Sequence, residues 1–297
     1  MLLITGITGH SGKYFLQELI KNNYETRIRV VIRGNDSFDY LEKSGLNIEI
    51  LKGNLSDQSF LEIALKDVDS LFHIASIFYS VNVVKAAVSN DVKRIILVHT
   101  TGIYSKFKSA SYEYKAIEDQ VHLLIGNSGK SIELTILRPT MIFGYENDRN
   151  IYKFIRFADK LPVIPVIDRG KGLIQPVHGR DLGKAYFQVL VSNNLAQEYI
   201  LSGERSLSML ELFTLIGEYL GKQKYIISIP TQLGVLLAQI AKIVSLGRID
   251  YVERVQRMSE NRNFSHEHAT RDFNYDPESF NDNLKNEVLL YKERKGH

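Results

Sequence analysis

The 297-residue chain contains no cysteine, carries little net charge and has no long hydrophobic run. Without cysteine it can form neither a disulfide framework nor a thiolate metal site, which is typical of a reducing compartment. The formal net charge of +3 is too small to indicate binding to nucleic acid or to a membrane. The most apolar long stretch, residues 233–246, is shorter than a membrane span and carries Gln239 and Lys242. It predicts a buried or interfacial helix that belongs to the core.

The N-terminus also lacks a charged leader followed by an apolar signal segment, because a predicted strand begins at Leu2. We therefore expect a cytoplasmic protein. A chain of this length with 44% hydrophobic residues can bury the core of one large domain or of two joined domains.

The first twelve residues, MLLITGITGHSG, place three glycines directly after a short apolar run. Gly6 permits a tight turn out of a strand, Gly9 lets the backbone approach a pyrophosphate, and Gly12 lets the next helix pack closely on the sheet. The N-terminus of that helix offers free N–H groups and a positive dipole end to phosphates. We therefore predict a dinucleotide-binding loop, the alternative being a glycine-rich turn that binds nothing. The residues predicted to bind the cofactor are Gly6, Thr8, Gly9, His10, Ser11 and Gly12.

Four further apolar segments rich in β-branched residues follow, at 27–32, 47–51, 68–74 and 94–98. Helical patterns separate them at 13–22, 60–65 and 81–89, the second with Asp57 as its predicted N-cap. Five strands alternating with helices in about 100 residues predict an α/β fold with a doubly wound parallel sheet. His73, inside an apolar strand, is expected to be a buried histidine with its hydrogen bonds satisfied.

The end of the second predicted strand bears on the choice of cofactor. In dinucleotide folds this position faces the adenosine ribose, where an acidic residue suits a free 2′-hydroxyl and an arginine suits a 2′-phosphate. The strand ends at Arg33, and Asp36 comes three residues later. We therefore predict NADP(H), with NAD(H) as the alternative and a plain surface arginine as the other interpretation. Further predicted cofactor contacts follow the third and fourth strands, at Asn54, Leu55, Ala75 and Ser76.

Six segments in order resemble the extended or atypical short-chain dehydrogenase/reductase family, which contains NAD-dependent sugar epimerases and dehydratases. They are TGITGHSG (5–12), GNLSD (53–57), VDSLFHIA (68–75), LRPTMIFG (137–144), PVHGRDLGKA (176–185) and YILSG (199–203). The resemblance implies a Rossmann fold and a nicotinamide cofactor. It also implies that Pro139, Met141 and Ile142, after the sixth predicted strand at 134–137, lie against the nicotinamide ring.

The catalytic segment departs from the family pattern. The family places a Ser or Thr at the end of the fifth strand and a YxxxK pair on the next helix. Thr100 matches the first position and Lys115 resembles the lysine, but Ser111 stands where the tyrosine is expected. The resemblance implies that Thr100 polarises the substrate oxygen and Lys115 holds the nicotinamide ribose, while Tyr112 or a bound water handles the proton. The alternative is that Tyr112 and Tyr114 only pack or cover the surface.

Beyond residue 150 the regular alternation is lost. We expect a dinucleotide-binding domain at 1–150, to which 173–205 returns, and a smaller, mainly helical substrate-binding region at 151–172 and 206–297. A helical pattern at 206–220 ends at Gly221, a predicted C-terminal cap.

Two groups of polar residues in this region are candidate binding residues. Arg254, Arg257 and Arg262 could grip a diphosphate or a carboxylate, but solvated charges are the favoured interpretation. His266 and His268 lack a third ligand at a recognisable spacing, so no metal site is predicted.

The sequence leaves two main functions open. The first is an NADP(H)-dependent reductase, epimerase or dehydratase acting on a small carbonyl or hydroxyl substrate, for which the resemblance suggests a nucleotide sugar. The second, motivated by Ser111, is a non-catalytic NAD(P)-binding sensor or assembly protein. A structural subunit with an empty cleft is a third, disfavoured option. A homodimer through helices at 81–89 and 110–125 is compatible with the resemblance.

Overall fold

A seven-stranded parallel sheet is the main sheet of the computed structural model, which describes residues 1–34, 38–107, 109–144, 148, 150–245, 248 and 250–296. Asp36 lies outside the described residues. The strands are β1 (Leu2–Thr5), β2 (Ile28–Ile32), β3 (Ile48–Lys52), β4 (Ser70–His73), β5 (Arg94–Val98), β6 (Glu133–Pro139), β7 (Met141–Phe143), β8 (Val163–Ile167), β9 (Leu173–Ile174), β10 (Pro176–His178), β11 (Glu198–Leu201), β12 (Leu207–Ser208) and β13 (Tyr225–Ile229).

Helices follow β1, β3 and β4 at the positions that the sequence predicts, and further helices lie elsewhere in the chain. They are α1 (His10–Lys21), α2 (Asp39–Glu42), α3 (Gln58–Ala64), α4 (Ser80–Ser89), α5 (Ala110–Gly126), α6 (Ile151–Lys160), α7 (Gly179–Val191), α8 (Met209–Leu220), α9 (Thr231–Val244), α10 (Val252–Met258), α11 (Glu267–Phe273) and α12 (Phe280–Lys295). The Asp57 side chain accepts a hydrogen bond from the Phe60 N–H and caps α3, as predicted. Gly221 ends α8 with a left-handed φ of 69°, also as predicted.

The strand order of the main sheet is β11-β6-β5-β4-β1-β2-β3, with every neighbouring pair parallel. The predicted doubly wound α/β fold is therefore confirmed. The chain reverses its direction of winding between β1 and β4, so the carboxyl ends of these two strands flank a crevice. Ligands of open α/β sheets bind at such a switch point.

Both faces of this sheet are covered. Ile4 and Phe72 pack with α1 and α7 on one face, whereas Leu3 and Leu71 pack with α3, α4 and α5 on the other. The alternation follows from the period of two along a strand. Burying one such side chain contributes about 1.5–3 kcal/mol, which explains why the central strands consist of continuous apolar runs.

A second apolar core lies beyond β6. It joins Ile155 of α6, Ile164 of β8, Phe213 of α8 and Leu284 of α12. Three two-stranded sheets accompany it: β7 with β10, β8 with β13, and β9 with β12. The intervening α7 packs on α1, and β11 extends the main sheet next to β6.

Two predictions about these elements are wrong. Pro139 lies within β6 rather than after it, because β6 continues along β11 and Pro139 pairs with Leu201 at the end of that edge. The predicted core helix at 233–246 is α9, but it buries only Gly234 and Ala238. Its larger residues, including Leu236 and Ile243, are exposed because α9 packs through its small residues.

Candidate active site

The glycine loop between β1 and α1 is shaped by close backbone contacts. Gly6 has a φ of 77°, and a Cβ there would lie 2.6 Å from the backbone nitrogen of Ala75. A Cβ on Gly12 would lie 2.2 Å from the Gly6 carbonyl oxygen, whereas one on Gly9 would lie 3.1 Å from it. Gly6 and Gly12 are therefore required by packing, and Gly9 leaves room on the open side of the loop.

This loop forms one wall of a cavity of about 450 Å³, the first cavity, at the carboxyl ends of β1, β2, β3 and β4. Every predicted dinucleotide contact from the first four strands lies along it except Gly12. Its lining consists of Gly6, Thr8, Gly9, His10, Ser11, Val31, Ile32, Arg33, Gly53, Asn54, Leu55, Ile74, Ala75, Ser76, Phe78 and Tyr79. No acidic residue of the described chain lines it, and Arg33 is exposed at the end of β2.

Two histidines near this cavity are neutral. Burial lowers the pKa of His10, the first residue of α1, to about 4. Burial likewise lowers the pKa of His73 to about 3. Its Nε2 lies 3.3 Å from the Ser76 carbonyl oxygen, which can only accept, so Nδ1 accepts from the Thr5 hydroxyl at 2.7 Å. The prediction of a satisfied buried histidine is confirmed, and the side chain ties β1 to the segment after β4.

A second cavity of about 710 Å³ lies beyond the carboxyl ends of β5 and β6. Thr100, Met141 and Ile142 line it, whereas Pro139 is buried and does not. The Thr100 side-chain oxygen accepts the Gly102 N–H at 3.0 Å, which leaves its own O–H as a donor. The remaining lining residues are Thr101, Gly102, Tyr104, Ser105, Lys106, Phe107, Thr140, Asn150, Ile174, Gln175, Arg257, Glu260, Asn261, Arg262 and Phe264.

The other two predicted catalytic residues do not join Thr100 in the second cavity. Tyr112 is 80% exposed and Lys115 is also exposed, and neither lines the first or the second cavity. Helix α5 instead turns Ser111 and Tyr114 inward. The Tyr114 ring packs 5.7 Å from that of Phe78 in a small apolar cluster.

The tyrosine that does line the second cavity is Tyr104, in the short 3₁₀ turn after β5. Burial raises its pKa, so its hydroxyl stays protonated as a hydrogen-bond donor at neutral pH. Tyr104 was not predicted from the sequence, although it stands four residues after Thr100, beyond the end of β5. A polar residue just beyond a parallel strand was the available signal.

A buried polar network behind Thr100 was also missed. Glu118 accepts hydrogen bonds from His99 Nδ1 at 2.8 Å and from Arg138 at 2.6 Å, and His99 Nε2 lies 3.0 Å from the Ser80 hydroxyl. Arg138 Nη1 also lies 3.0 Å from Glu198 Oε2 and forms an ion pair with it. These contacts fix α5 to the ends of β5 and β6, and so fix the wall that carries Thr100.

Two arginines of the small region face the second cavity, which corrects the expectation that they are solvated. Arg257 and Arg262 both line it, and the Nε of each is buried without a hydrogen-bond partner in the described structure. Burial, with the charge of Arg257 nearby, lowers the pKa of Arg262 to about 10, so it remains cationic at neutral pH. Arg254, by contrast, is exposed as expected.

The carboxylate of Glu260 joins two segments of the chain that line the second cavity. Glu260 accepts hydrogen bonds from the Ser105 hydroxyl and the Lys106 N–H, both at 2.8 Å. The segment after α10 is thereby joined to the loop after β5, across the second cavity. Lys106, Arg257 and Arg262 line the cavity against this one described carboxylate, so the charge that faces the cavity is positive.

Residues 6–163 match the sequence model of the family described as NAD(P)H-binding. A curated relative, sterol-4-alpha-carboxylate 3-dehydrogenase (decarboxylating) from Bos taurus, is 23% identical over 68% of this chain and 62% of its own length. The chain therefore spans about three fifths of that relative.

Solved structures share the fold over the full chain. The Citrobacter sp. triphenylmethane reductase complexed with NADP(H) has a TM-score of 0.75 at 18% identity, covering 96% of this chain and 99% of its own. A dTDP-glucose 4,6-dehydratase from Streptomyces venezuelae with NAD bound has a TM-score of 0.73 at 19% identity, covering 99% and 98%. Among the described residues, no helix has both the length and the apolar character needed to cross a membrane.

Proposed function

We propose, because the chain belongs to the NAD(P)H-binding family, that it is an NADP(H)-dependent oxidoreductase acting on a small carbonyl or hydroxyl substrate that carries an anionic group. The observation that carries the proposal is the juxtaposition of two cavities at one sheet edge. The first has a glycine cradle and no acidic residue among its described lining, and the second has hydroxyl donors and two half-buried arginines whose Nε atoms are buried.

The residues of the first cavity suit a dinucleotide. A Cβ on Gly6 would fill the turn against Ala75, so the loop is open only as a glycine loop. The N-terminus of α1 faces this opening with its N–H groups, which favours a pyrophosphate. Arg33 at the end of β2 suits a 2′-phosphate, as in NADP(H), and no described acidic residue offers the alternative ribose contact. When bound, a nicotinamide cofactor would supply or accept hydride.

Residues of the second cavity would bind and orient the substrate. The Thr100 O–H and the protonated Tyr104 hydroxyl can both donate to a carbonyl oxygen, which stabilises the charge that develops there. Arg257 and Arg262 can pair with a carboxylate or a phosphate of the substrate through charge-assisted hydrogen bonds. A nucleotide sugar, with its diphosphate, satisfies this requirement.

Two tyrosines distinguish the proposed active site from the one that the family resemblance implies. Tyr104→Phe should lower kcat by about 10²–10⁴-fold if its hydroxyl transfers the proton, whereas Tyr112→Phe, on the exposed face of α5, should leave kcat unchanged. Steady-state kinetics with NADPH and a panel of anionic aldehydes, ketones and nucleotide sugars would measure both. Loss of activity in Tyr112→Phe alone would restore Tyr112 and Lys115 as the catalytic pair.

The cofactor preference has its own test. Calorimetric titration should show that Arg33→Ala weakens NADPH binding by roughly tenfold or more, as expected for the loss of a charge-assisted hydrogen bond. NADH binding should stay the same and serves as the internal control. Equal weakening for both cofactors would remove Arg33 from the choice of cofactor.

A non-catalytic NAD(P)-binding sensor is the second candidate, favoured by the outward position of Tyr112 and Lys115 and by Ser111 in the tyrosine position. It predicts tight cofactor binding with no turnover of the substrate panel. A homodimer through α4 and α5 also stays a proposal, which sedimentation velocity would test.

A further inference from the structure

A third cavity, the apolar cavity, lies within the small region, away from the glycine loop. It has a volume of about 600 Å³ and is enclosed by α6, β8, α8, α9 and α10. None of its lining residues lines the first or the second cavity. Most are apolar, among them Phe154, Phe157, Val166, Ile167, Met209, Phe213, Leu237 and Val255. Its size and lining are those of pockets that bind small apolar molecules.

The geometry of α9 explains why the cavity exists. A Cβ on Gly234 would lie 2.7 Å from the Ile167 side chain and 3.0 Å from that of Val255, so the close approach of α9 to β8 and α10 at this position requires a glycine. One and two turns later, Ala238 and Ala241 offer too little side chain to fill the widening space. Leu237 lines the cavity and is still 51% exposed, so the space opens to solvent.

The charges on this cavity are of one sign. Lys153 and Arg254 are its only charged lining residues in the described chain, and no acidic residue lines it. Both side chains are exposed, which places their charges where the cavity meets solvent. Neither forms an ion pair with a described carboxylate. Glu253 and Asp250 lie near Arg254 in the sequence, but Glu253 accepts a hydrogen bond from Ser109 and Asp250 pairs with Lys242.

We propose that the apolar cavity is a second ligand site, which takes a single-chain amphiphile with an anionic head group. The alkyl chain would lie between α9 and the β8 strand, and the head group would meet Lys153 and Arg254. An apolar ligand alone would leave the two cations unused, and a cationic amphiphile would be repelled by them. Helix α10 separates this site from the second cavity, since Arg254 and Val255 face one and Arg257 faces the other.

Calorimetry with two probes of equal chain length tests the proposal. Dodecanoate and dodecyltrimethylammonium, both below their critical micelle concentrations, are titrated into the full chain with and without NADPH. Dodecanoate should bind with a stoichiometry of one and roughly tenfold or more tighter than the cation, as two favourable ion pairs replace two repulsive contacts. Equal affinity for the two probes, or no binding of dodecanoate, would overturn the proposal.

Three variants locate the site. Ala241→Phe should fill the cavity and abolish dodecanoate binding, with Ala241→Leu as the milder change if the phenylalanine variant fails to fold. The double reversal Lys153→Glu and Arg254→Glu should weaken binding roughly tenfold. The matched control, Arg156→Glu with Lys285→Glu, changes the net charge equally at exposed residues outside the cavity and should leave binding intact. Equal weakening by both charge reversals would overturn the proposal, as would binding to anionic vesicles without any binding of dodecanoate.

Discussion

Glu118 should contribute more to stability than any surface carboxylate of the chain, because it is the shared acceptor of a buried network. Its carboxylate holds His99 at 2.8 Å and Arg138 at 2.6 Å, and all three side chains are buried. Removing one partner of a buried ion pair costs about 3–5 kcal/mol. Arg138 keeps the exposed Glu198, and glutamine keeps the shape of Glu118, so we expect a loss of about 3 kcal/mol for Glu118→Gln.

The matched control uses the same arginine. Glu198→Gln removes the other carboxylate near Arg138, but Glu198 is 62% exposed, and exposed pairs contribute about 0.2–1 kcal/mol. Urea unfolding of both variants, followed by circular dichroism at pH 7, gives the two free energies. Equal losses in the two variants would show that burial of Glu118 does not govern the network.

Comparing wild type with Glu118→Gln at different pH values tests the charge of Glu118. Burial alone would raise the pKa of Glu118, but the hydrogen bond with His99 and the positive charge of Arg138 outweigh it and lower the pKa. A lowered carboxyl pKa stabilises the fold fully above the unfolded-chain value of about 4.3, and this contribution is lost as the pH falls through the folded value. The stability difference between wild type and Glu118→Gln should therefore persist from pH 7 to pH 5. A gap that closes within that range would refute the lowered pKa.

Three further outcomes are expected. Gly12→Ala should prevent stable folding, since its Cβ would lie 2.2 Å from the Gly6 carbonyl oxygen. The Cβ of Gly9→Ala would lie 3.1 Å from the same oxygen, so this variant should fold with a Tm near wild type and bind NADPH more weakly by calorimetry. Asp159→Asn should cost about 1.5–3 kcal/mol in urea unfolding, because the buried carboxylate accepts from Lys222 and Lys295 at 2.6 Å and from the Tyr291 hydroxyl at 2.8 Å. Glu260→Gln should speed hydrogen exchange at the Lys106 amide, which donates to Glu260, with exchange in β5 unchanged, as mass spectrometry would measure. Unaltered exchange at Lys106 would show that Glu260 does not hold the wall of the second cavity.

The part of the fold that follows local patterns could be predicted from the sequence. Short apolar runs marked β1 to β5 and Asp57 marked the start of α3, because strand patterns and capping depend on near neighbours. The glycine loop could be predicted for the same reason, since its geometry lies within twelve residues. The continuation of β6 through Pro139 could not, because it depends on pairing with β11, some 60 residues later.

The wall of the second cavity was harder to predict because long-range packing decides which side chains face that cavity. A spacing of three or four residues before Lys115 says which tyrosine shares its helix face, but not which face turns inward. Contacts of Tyr114 with Phe78 and of Glu118 with Arg138 make that choice. The sequence likewise predicted Arg257 and Arg262 to be solvated charges, because it does not show that α10 and the segment after it lie over the second cavity.

The composition of the second core has a consequence for synthesis of the chain. Phe213 and Leu284 share that core, although about 70 residues separate them. At the usual rate of translation this interval lasts roughly 4 to 14 s. During it the apolar side of α8 has no α12 to cover it, while all seven strands of the main sheet have already been made. The sheet that carries the glycine loop is thus available to fold first, and the newly made small region is the part of the nascent chain most exposed to aggregation and to chaperones.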